Sequence, residues 1–180
     1  MKKIPTSLQD VFILEPRVFA DERGFFLESY SERTFEELGI LERFVQDNHS
    51  CSRRGVLRGL HYQIKQAQGK LVRVVEGEIL DVAVDLRRSS PHFGRSVTVH
   101  LSGENKHILW IPAGFAHGFH VVSDQAQVCY KATDYYAPEH ERTLLWSDPA
   151  LRINWELGGE AIVSTKDQRG VALHEAETFE

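Results

Sequence analysis

The dominant pattern along this chain is a series of short segments in which apolar and polar residues alternate, separated by turns that contain glycine or proline. Residues 79–86 form such a segment, with an aliphatic row on one strand face and Asp81 and Asp85 on the other. Residues 71–75 lead into it through Glu76-Gly77, so the stretch 71–86 is predicted to form a β-hairpin. Further strands are predicted at residues 96–101, 108–111, 119–122 and 127–133.

Helical patterning is scarce. One short helix is predicted over residues 31–38, with Ser31 as its N-cap, Glu32 in its first turn and Gly39 as its stop signal. Many short strands with scattered turns are typical of a sandwich or barrel, and a jelly roll suits a chain of 180 residues. No linker, repeat or charge block divides the chain, so residues 1–180 are expected to form one all-β domain with one or a few short helices.

Composition and charge narrow the range of functions. Hydrophobic residues make up 42% of the chain and charged residues 26%, as in an ordinary globular protein. The formal net charge of -5 gives no overall basic surface of the kind that binds duplex DNA, so no nucleic-acid partner is predicted. Any anionic ligand must instead meet locally placed arginine and lysine side chains.

The sequence predicts neither export nor membrane insertion. Lys2 and Lys3 resemble the start of a signal peptide, but Pro5 and polar residues follow where an apolar segment is required. No stretch approaches the roughly 20 apolar residues of a membrane span. Cys51 and Cys129 lack the spacing of metal ligands and are expected to be reduced thiols in a cytoplasmic protein.

Two of the nine histidines stand in runs of unusual composition. The run 112–117 has the form PxGxxH, which resembles the second cupin motif and supports a cupin-like jelly-roll barrel. His61-Tyr62-Gln63 stands where a metal-binding cupin carries HxH, with its first and third side chains on one strand face. Surface or supporting roles are expected for most of the histidines, namely His49, His92, His100, His107, His140 and His174.

The metal ligands of a cupin are incomplete in this sequence. A cupin metal site uses two histidines, a glutamate and a further histidine around a divalent ion. Here Gln63 replaces the second histidine, and Lys70 occupies the acidic position that precedes the turn at Gly77. Because an ammonium group repels a dication, no metal is predicted, and a metal-dependent cupin oxygenase or isomerase is kept as an alternative.

Lys70 beside His61 suits a different chemistry. A lysine can stabilise a developing oxyanion, and a histidine, which titrates near neutral pH, can remove a proton. Removal of a proton next to a carbonyl group gives an enolate, which needs a positive group near its oxygen. The two residues therefore predict proton abstraction next to a ketone, with a tyrosine suited to return a proton on the opposite face.

Runs spread over nearly the whole chain resemble the dTDP-4-dehydrorhamnose 3,5-epimerases. Each run alone is a weak signal, but their occurrence together and in this order is highly specific. The runs are FADERGFFLE (19–28), QDN (46–48), LRGLHYQ (57–63), QGKLV (68–72), DVAVDLR (81–87), PAGFAHGF (112–119), YKAT (130–133) and KD (166–167).

This resemblance implies an activity and an assembly. The family uses no cofactor and inverts C3 and C5 of a 4-keto-6-deoxy sugar attached to dTDP, giving dTDP-4-dehydro-L-rhamnose on the way to dTDP-L-rhamnose. Both carbons flank the C4 ketone, so one group that stabilises an enolate can serve both inversions. The family forms homodimers of jelly-roll barrels, and N-terminal segments are candidates to contribute to the partner's site.

The resemblance also implies roles for single residues. His61 would be the base and Asp167 its orienting partner, Tyr130 would protonate the opposite face, and Lys70 would steady the enolate oxygen. Tyr136 matches the aromatic position that stacks on the thymine ring. Contacts to the nucleotide diphosphate or the sugar are expected from Arg23, Glu28, Gln46, Asp47, Asn48, Arg58, His117, Glu141 and Lys166.

Other interpretations stay open on the sequence alone. Asp81 is the rival partner of His61, because the strand alternation puts it on the non-aliphatic face. Tyr130 also fits a core position, Lys70 a solvated one and Asp167 a loop turn. An epimerase that acts only at C3 or only at C5 would share these residues, and a non-catalytic sugar-binding jelly roll is a further alternative.

One structural consequence follows if Arg58 and His61 both face the ligand. In an unbroken strand these side chains would point to opposite faces. The strand is therefore expected to twist or bulge near Gly59.

Overall fold

The computed structural model describes residues 1–180, in which two mainly antiparallel β-sheets lie face to face. The first sheet has six strands. Their order across the sheet is β1 (Lys2–Pro5), β2 (Phe12–Glu15), β10 (Ile108–Ile111), β7 (Lys70–Glu76), β12 (Gln125–Ala132) and β5 (Gln46–Arg53).

The second sheet also has six strands, five of which form a continuous antiparallel path. Their order is β13 (Glu141–Thr143), β6 (Val56–Gln63), β11 (Phe115–Val121), β8 (Glu78–Asp85) and β9 (Ser96–Ser102), with β14 (Ile162–Val163) pairing parallel to β6. Outside both sheets lie a hairpin of β3 (Val18–Asp21) and β4 (Gly24–Leu27), helix α1 (Glu32–Glu37) and helix α2 (Thr165–Gln168). Neither helix has the length or apolar character that crossing a bilayer requires.

This architecture confirms the predicted all-β, cupin-like jelly-roll barrel with short helices. The strand predicted at 108–111 coincides with β10, and those predicted at 96–101, 119–122 and 127–133 overlap β9, β11 and β12. The predicted helix is α1, which Ser31 precedes and Gly39 follows in the left-handed conformation that ends helices. Local patterning was therefore a sound guide to where the strands and the helix lie.

The hairpin predicted over residues 71–86 is wrong. Its two strands, β7 and β8, exist, but they belong to opposite sheets: β7 pairs with β10 and β12, and β8 pairs with β9 and β11. Gly77 between them has a φ of +75° and packs against the backbone of residue 125. The chain therefore crosses from one sheet to the other at Gly77, and the distant strands on each side provide the pairing.

Three hydrophobic clusters hold the sheets together and cover their outer faces. The central cluster joins the facing sides of both sheets, for example Val128 of the first and Val99 of the second. A second cluster packs Trp155 and other C-terminal residues on the outer face of the second sheet. A third packs Phe35 of α1 against Trp110 on the outer face of the first sheet. Polar side chains on the inner faces are therefore exceptions that mark a candidate site.

Gly77→Ala is expected to lower the free energy of unfolding by more than about 1 kcal/mol. The added Cβ would require a side chain at positive φ and would lie 1.9 Å from the carbonyl oxygen of Gln125. Gly158→Ala is the matched control, because no heavy atom lies within 4 Å of its Cβ position, and a change within about 0.5 kcal/mol is expected. Urea unfolding measures both, and equal losses in the two variants would contradict the corner role of Gly77.

Candidate active site

A cavity of about 570 Å³ opens between the two sheets and takes side chains from both. The second sheet lines it with residues of β6 and β11, and the first sheet lines it with residues of β7 and β12. Nine of the residues predicted from the sequence lie here. They are Arg58, His61, Lys70, His117, Tyr130, Tyr136, Glu141, Lys166 and Asp167.

Arg58 and His61 reach the same cavity because β6 bulges between them. His117 of β11 lies opposite His61, whereas the strand partner of Arg58 is only two positions further along β11, so β6 has one extra residue here. Gly59 in the bulge has a φ of +114° and precedes a cis peptide bond, and a Cβ there would lie 2.6 Å from the Cα of Gly118. The bulge predicted near Gly59 is confirmed.

His61 is hydrogen-bonded to a buried carboxylate. Its Nε2 lies 2.5 Å from Oδ1 of Asp167, a residue only 3% exposed. Asp167 lies in α2, where its backbone N–H donates to Oγ of Ser164 at 3.1 Å, and its Oδ2 accepts from the backbone N–H of Gly59 at 3.3 Å. Burial raises the pKa of the Asp167 carboxyl, but hydrogen bonds from His61 and the other donors hold it below its ordinary value. Asp167 is therefore an ionised acceptor that fixes the ring of His61.

Asp81, the rival partner of His61, contacts a different histidine. Nε2 of His117 lies 2.9 and 3.0 Å from the two carboxylate oxygens of Asp81. The Asp81 side chain is fully buried and His117 nearly so. Two separate histidine–aspartate pairs therefore lie beside each other, one on each of the paired strands β6 and β11.

Lys70 and Tyr130 face these histidines from the opposite sheet. Burial lowers the pKa of Lys70 to about 8, although the carboxylates of Glu141 and Asp81 act to raise it. Burial and the Glu141 carboxylate raise the pKa of Tyr130, against a smaller opposing effect of Arg58. Near neutral pH the cavity therefore holds a lysine cation and a tyrosine that keeps its proton.

Glu141 joins two exposed side chains at the rim of the cavity. Its Oε1 lies 2.5 Å from Nζ of Lys166, and its Oε2 accepts a hydrogen bond from the hydroxyl of Tyr136 at 2.9 Å. Burial raises the pKa of Glu141, but the contacts with Lys166 and Tyr136 lower it below its ordinary value. The Glu141 carboxylate therefore holds an ammonium group and an aromatic ring at the same edge of the cavity.

Gln63, at the position where a cupin has its second histidine, is fully engaged by the backbone. Its Nε2 donates to the carbonyl oxygens of Gln66 and Tyr135 at 2.8 and 3.2 Å, and its Oε1 accepts from the N–H of Ala137 at 2.9 Å. No group of three or more histidine, cysteine or acidic side chains is arranged to hold a metal ion. With Lys70 at the acidic position, the donor set does not fit a cupin metal.

Five predicted residues lie outside this cavity. Arg23 is at the turn between β3 and β4, where its side chain is 85% exposed and pairs only with a neighbouring aspartate. Glu28 follows β4 and is also exposed. Gln46, Asp47 and Asn48 begin β5, and the last two line a second cavity of about 260 Å³. Within a single chain, these five side chains are not brought to His61.

Supporting residues were missed from the sequence. Oγ of Ser52 accepts from Nε and Nη2 of Arg58 at 3.1 and 2.9 Å and so fixes the guanidinium group. This contact joins β5 and β6, which follow each other in sequence but lie in opposite sheets, and it leaves no local sequence signal. Ser164 caps the helix that carries Asp167, and the pattern Ser-x-x-Asp before a short helix is a recognisable capping signal. The contact of Ser164 with Asp167 could therefore have been predicted from the sequence, whereas the contact of Ser52 with Arg58 could not.

Comparison with known proteins agrees with this geometry. A family model described as dTDP-4-dehydrorhamnose 3,5-epimerase matches residues 5–175. Proteins of that name from Pseudomonas aeruginosa and Shigella flexneri are 59% and 54% identical over 180 and 181 residues, which cover 99% of both chains in each case. The crystal structure of dTDP-6-deoxy-D-glucose-3,5-epimerase from Legionella pneumophila in complex with dTDP-4-keto-L-rhamnose matches with a TM-score of 0.96 and 53% identity, covering 98% of this chain and 94% of that chain. The chain belongs to the dTDP-4-dehydrorhamnose 3,5-epimerase family.

Proposed function

We propose that the protein is a cofactor-independent isomerase that converts dTDP-4-dehydro-6-deoxy-D-glucose into dTDP-4-dehydro-L-rhamnose by inverting C3 and C5. The observation that carries this proposal is the pair of His61 and Asp167 on one side of a cavity whose other side holds Lys70 and Tyr130. Relatives at 59% and 54% identity over nearly their full lengths carry this epimerase name, which supports the same assignment.

The reaction begins with proton removal by His61. In the neutral ring, the Nε2–H donates to Asp167, so Nδ1 carries the lone pair that accepts the proton from the carbon next to the C4 ketone. The electrons of the broken C–H bond form a double bond to C4, and the π electrons of the carbonyl group move to O4. Asp167 stabilises the imidazolium ion that results.

The enolate oxygen needs a nearby cation, and Lys70 supplies it. A buried ammonium group stabilises a developing oxyanion more strongly than a solvated one, because little water screens it. Lys70 replaces the metal ion that other cupins place in this part of the barrel. One cation at O4 serves both inversions, since C3 and C5 both flank C4.

Inversion requires a proton donor on the other face of the sugar ring, and Tyr130 is suited to this role. It comes from the sheet opposite His61. Its O–H proton passes to the carbon while the enolate electrons re-form the C4 carbonyl bond. The Tyr130 phenolate then takes a proton from water, and His61 gives up the proton that it accepted.

The cationic and aromatic side chains of the cavity suit the nucleotide part of the substrate. Arg58, held by Ser52, presents a planar guanidinium group that matches the oxygens of a diphosphate. Lys166 adds a second cation at the rim. Tyr136 offers an exposed ring on which a thymine base can stack.

We further propose that the protein works in the cytoplasm as a homodimer in which the β3–β4 hairpin of one subunit completes the site of the other. This hairpin exposes Phe19, Phe25 and Phe26 at 50–70% of their surface, an apolar area that a partner subunit would cover. Docking of the hairpin would carry Arg23 to the partner's diphosphate site. The free thiols of Cys51 and Cys129 fit a reducing compartment.

Solvent deuterium incorporation tests the reaction and the base. With the 4-keto substrate in D2O, the wild-type protein is expected to place deuterium at both C3 and C5, and His61→Ala is expected to place none. Tyr130→Phe is expected to retain some exchange but to form little inverted product, because the base remains and the opposite-face acid is lost. Mass spectrometry and NMR of the sugar measure both quantities.

The outcomes of this experiment separate the alternatives. Deuterium at a single carbon would assign an epimerase specific for C3 or for C5. Full epimerisation by His61→Ala would remove His61 from the role of base. Absence of exchange in the wild-type protein with substrate bound would favour a non-catalytic sugar-binding protein.

The pH dependence tests Lys70. As the pH rises through about 8, Lys70 loses the proton that makes it a cation, so kcat/KM is expected to fall over this range. Tyr130 does not account for this fall, because its pKa is raised above its ordinary value. Lys70→Met is expected to lower kcat by about 100-fold or more and to lack this alkaline limb. A limb of unchanged position in Lys70→Met would assign it to another group.

Subunit complementation tests the shared site. His61→Ala and Arg23→Ala chains with different tags are co-expressed, and the mixed dimer is purified by both tags. If Arg23 acts on the partner's site, one of the two sites in the mixed dimer has both native residues, so kcat per dimer should be half the wild-type value with a native KM. A mixed dimer with the raised KM of the Arg23→Ala homodimer would show that Arg23 serves the site of its own chain, and an unchanged KM in that homodimer would show that it serves neither site.

A further inference from the structure

The segment that carries Tyr136 belongs to no strand or helix. Residues 133–137 connect β12 to the 3₁₀ turn that begins at Pro138, and their backbone has no ladder of strand hydrogen bonds. The ring of Tyr136 is 53% exposed, so packing against neighbours does little to fix it. The hydroxyl of Tyr136 donates to Glu141, so the ring is placed by this hydrogen bond together with the contacts that hold the backbone of the segment.

Three glutamine side chains provide those contacts. Gln68 donates to the carbonyl oxygen of Asp134 at 2.8 Å, and Gln46 accepts from the backbone N–H of Tyr136 at 3.0 Å. Gln63 makes the largest contribution, because its amide bonds the residue before Tyr136 and the residue after it. The backbone of Tyr136 is thus held on both sides by one side chain.

Gln63 is well suited to hold this segment rigidly. It is 4% exposed, it is the last residue of β6, and its third hydrogen bond goes to Gln66 in the turn that follows β6. Both N–H donors and the carbonyl oxygen of its side-chain amide take part in these hydrogen bonds. Although Gln63 lines the cavity, its donors are therefore occupied by the protein, and the amide transmits the position of its strand to the loop.

We propose that Gln63 is a positioning residue for the nucleobase subsite. Its side chain holds residues 135–137 so that the ring of Tyr136 is in position to stack on the nucleobase. This inference rests on the proposed function, in which the substrate is a nucleotide sugar. Holding an exposed aromatic ring in its bound position before the ligand arrives removes an ordering cost from binding. The position that binds a metal in other cupins is thereby used for affinity towards the nucleotide.

Binding of dTDP alone isolates this contribution, because dTDP has the base and the diphosphate but no reacting sugar. Gln63→Met keeps a similar length and removes all three hydrogen bonds. Its Kd for dTDP by calorimetry is expected to rise about tenfold, which equals about 1.4 kcal/mol. KM for the sugar nucleotide should rise by a similar factor. In contrast, kcat should stay within about twofold, because the sugar carbons that react are far from the thymine base.

The decisive measurement is a double-mutant cycle with Tyr136→Ala. Once the ring is absent, its positioning cannot contribute to dTDP binding. Gln63→Met should therefore change the Kd of dTDP by less than about twofold in the Tyr136→Ala background. Additive effects would overturn the proposal, as would a loss of kcat at unchanged KM in Gln63→Met.

Two further variants control for structure. Gln127→Met is the first control. Gln127 lies in β12 and, like Gln63, forms several side-chain hydrogen bonds, here with His49 and Glu76, but it does not line the cavity. The affinity of Gln127→Met for dTDP should equal that of the wild type. If Gln63→Met fails to fold by thermal unfolding, Gln63→Glu replaces it, since it keeps the acceptor for Ala137 and loses both donors. The same rise in Kd is expected for Gln63→Glu.

Measurements on the wild-type protein distinguish a failure of the role proposed for Gln63 from a failure of the proposed function. Wild type that exchanges deuterium and binds dTDP, together with an additive cycle, would reject the role of Gln63 alone. Wild type that neither binds dTDP nor exchanges deuterium would reject the proposed function itself.

Discussion

The close approach of two backbones at Gly59 and Gly118 is the constraint on which the candidate site depends. Because neither residue has a Cβ, β6 can take an extra residue opposite β11, and Arg58 and His61 turn to the same side. The same bulge aims the N–H of Gly59 at Asp167. One backbone irregularity therefore brings Arg58, His61 and Asp167 together, whereas a regular strand would direct Arg58 and His61 to different faces.

The charges of the cavity explain how a cupin-like barrel can stabilise an anion without a metal ligand set. A metal site balances a dication with acidic and imidazole ligands, whereas here the cation is the covalently attached Lys70, with the carboxylates of Asp81 and Glu141 near it. Each carboxylate also has its own partner, His117 or Lys166. Burial lowers the pKa of Lys70, and these carboxylates partly offset that effect, so the cavity keeps a positive group on the side for which we propose enolate stabilisation.

Much of the fold could be read from local patterns, because strand alternation and helix caps depend on neighbours in sequence. The strand at 108–111 and the helix after Ser31 are examples. The hairpin at Gly77 was wrong because a turn within a sheet and a corner between sheets look alike locally, and only distant partners distinguish them. The contact of Gln63 with Tyr135 escaped prediction for the same reason. The contact of Arg58 with Ser52 is close in sequence, but it depends on how the two sheets face each other. In the proposed homodimer, the place of Arg23 depends on a surface of the partner subunit, which no pattern near Arg23 in the sequence describes.

The hydrogen bond between His61 and Asp167 joins residues 106 positions apart. All the strands of the two sheets except β14 are complete by Thr143, but α2, which carries Asp167, begins at residue 165. Most of the barrel can therefore form while the ring of His61 still lacks its carboxylate partner. Under the role proposed for His61, a chain truncated before α2 would keep Arg58 and Tyr136 of the cavity but lack the carboxylate that orients the base.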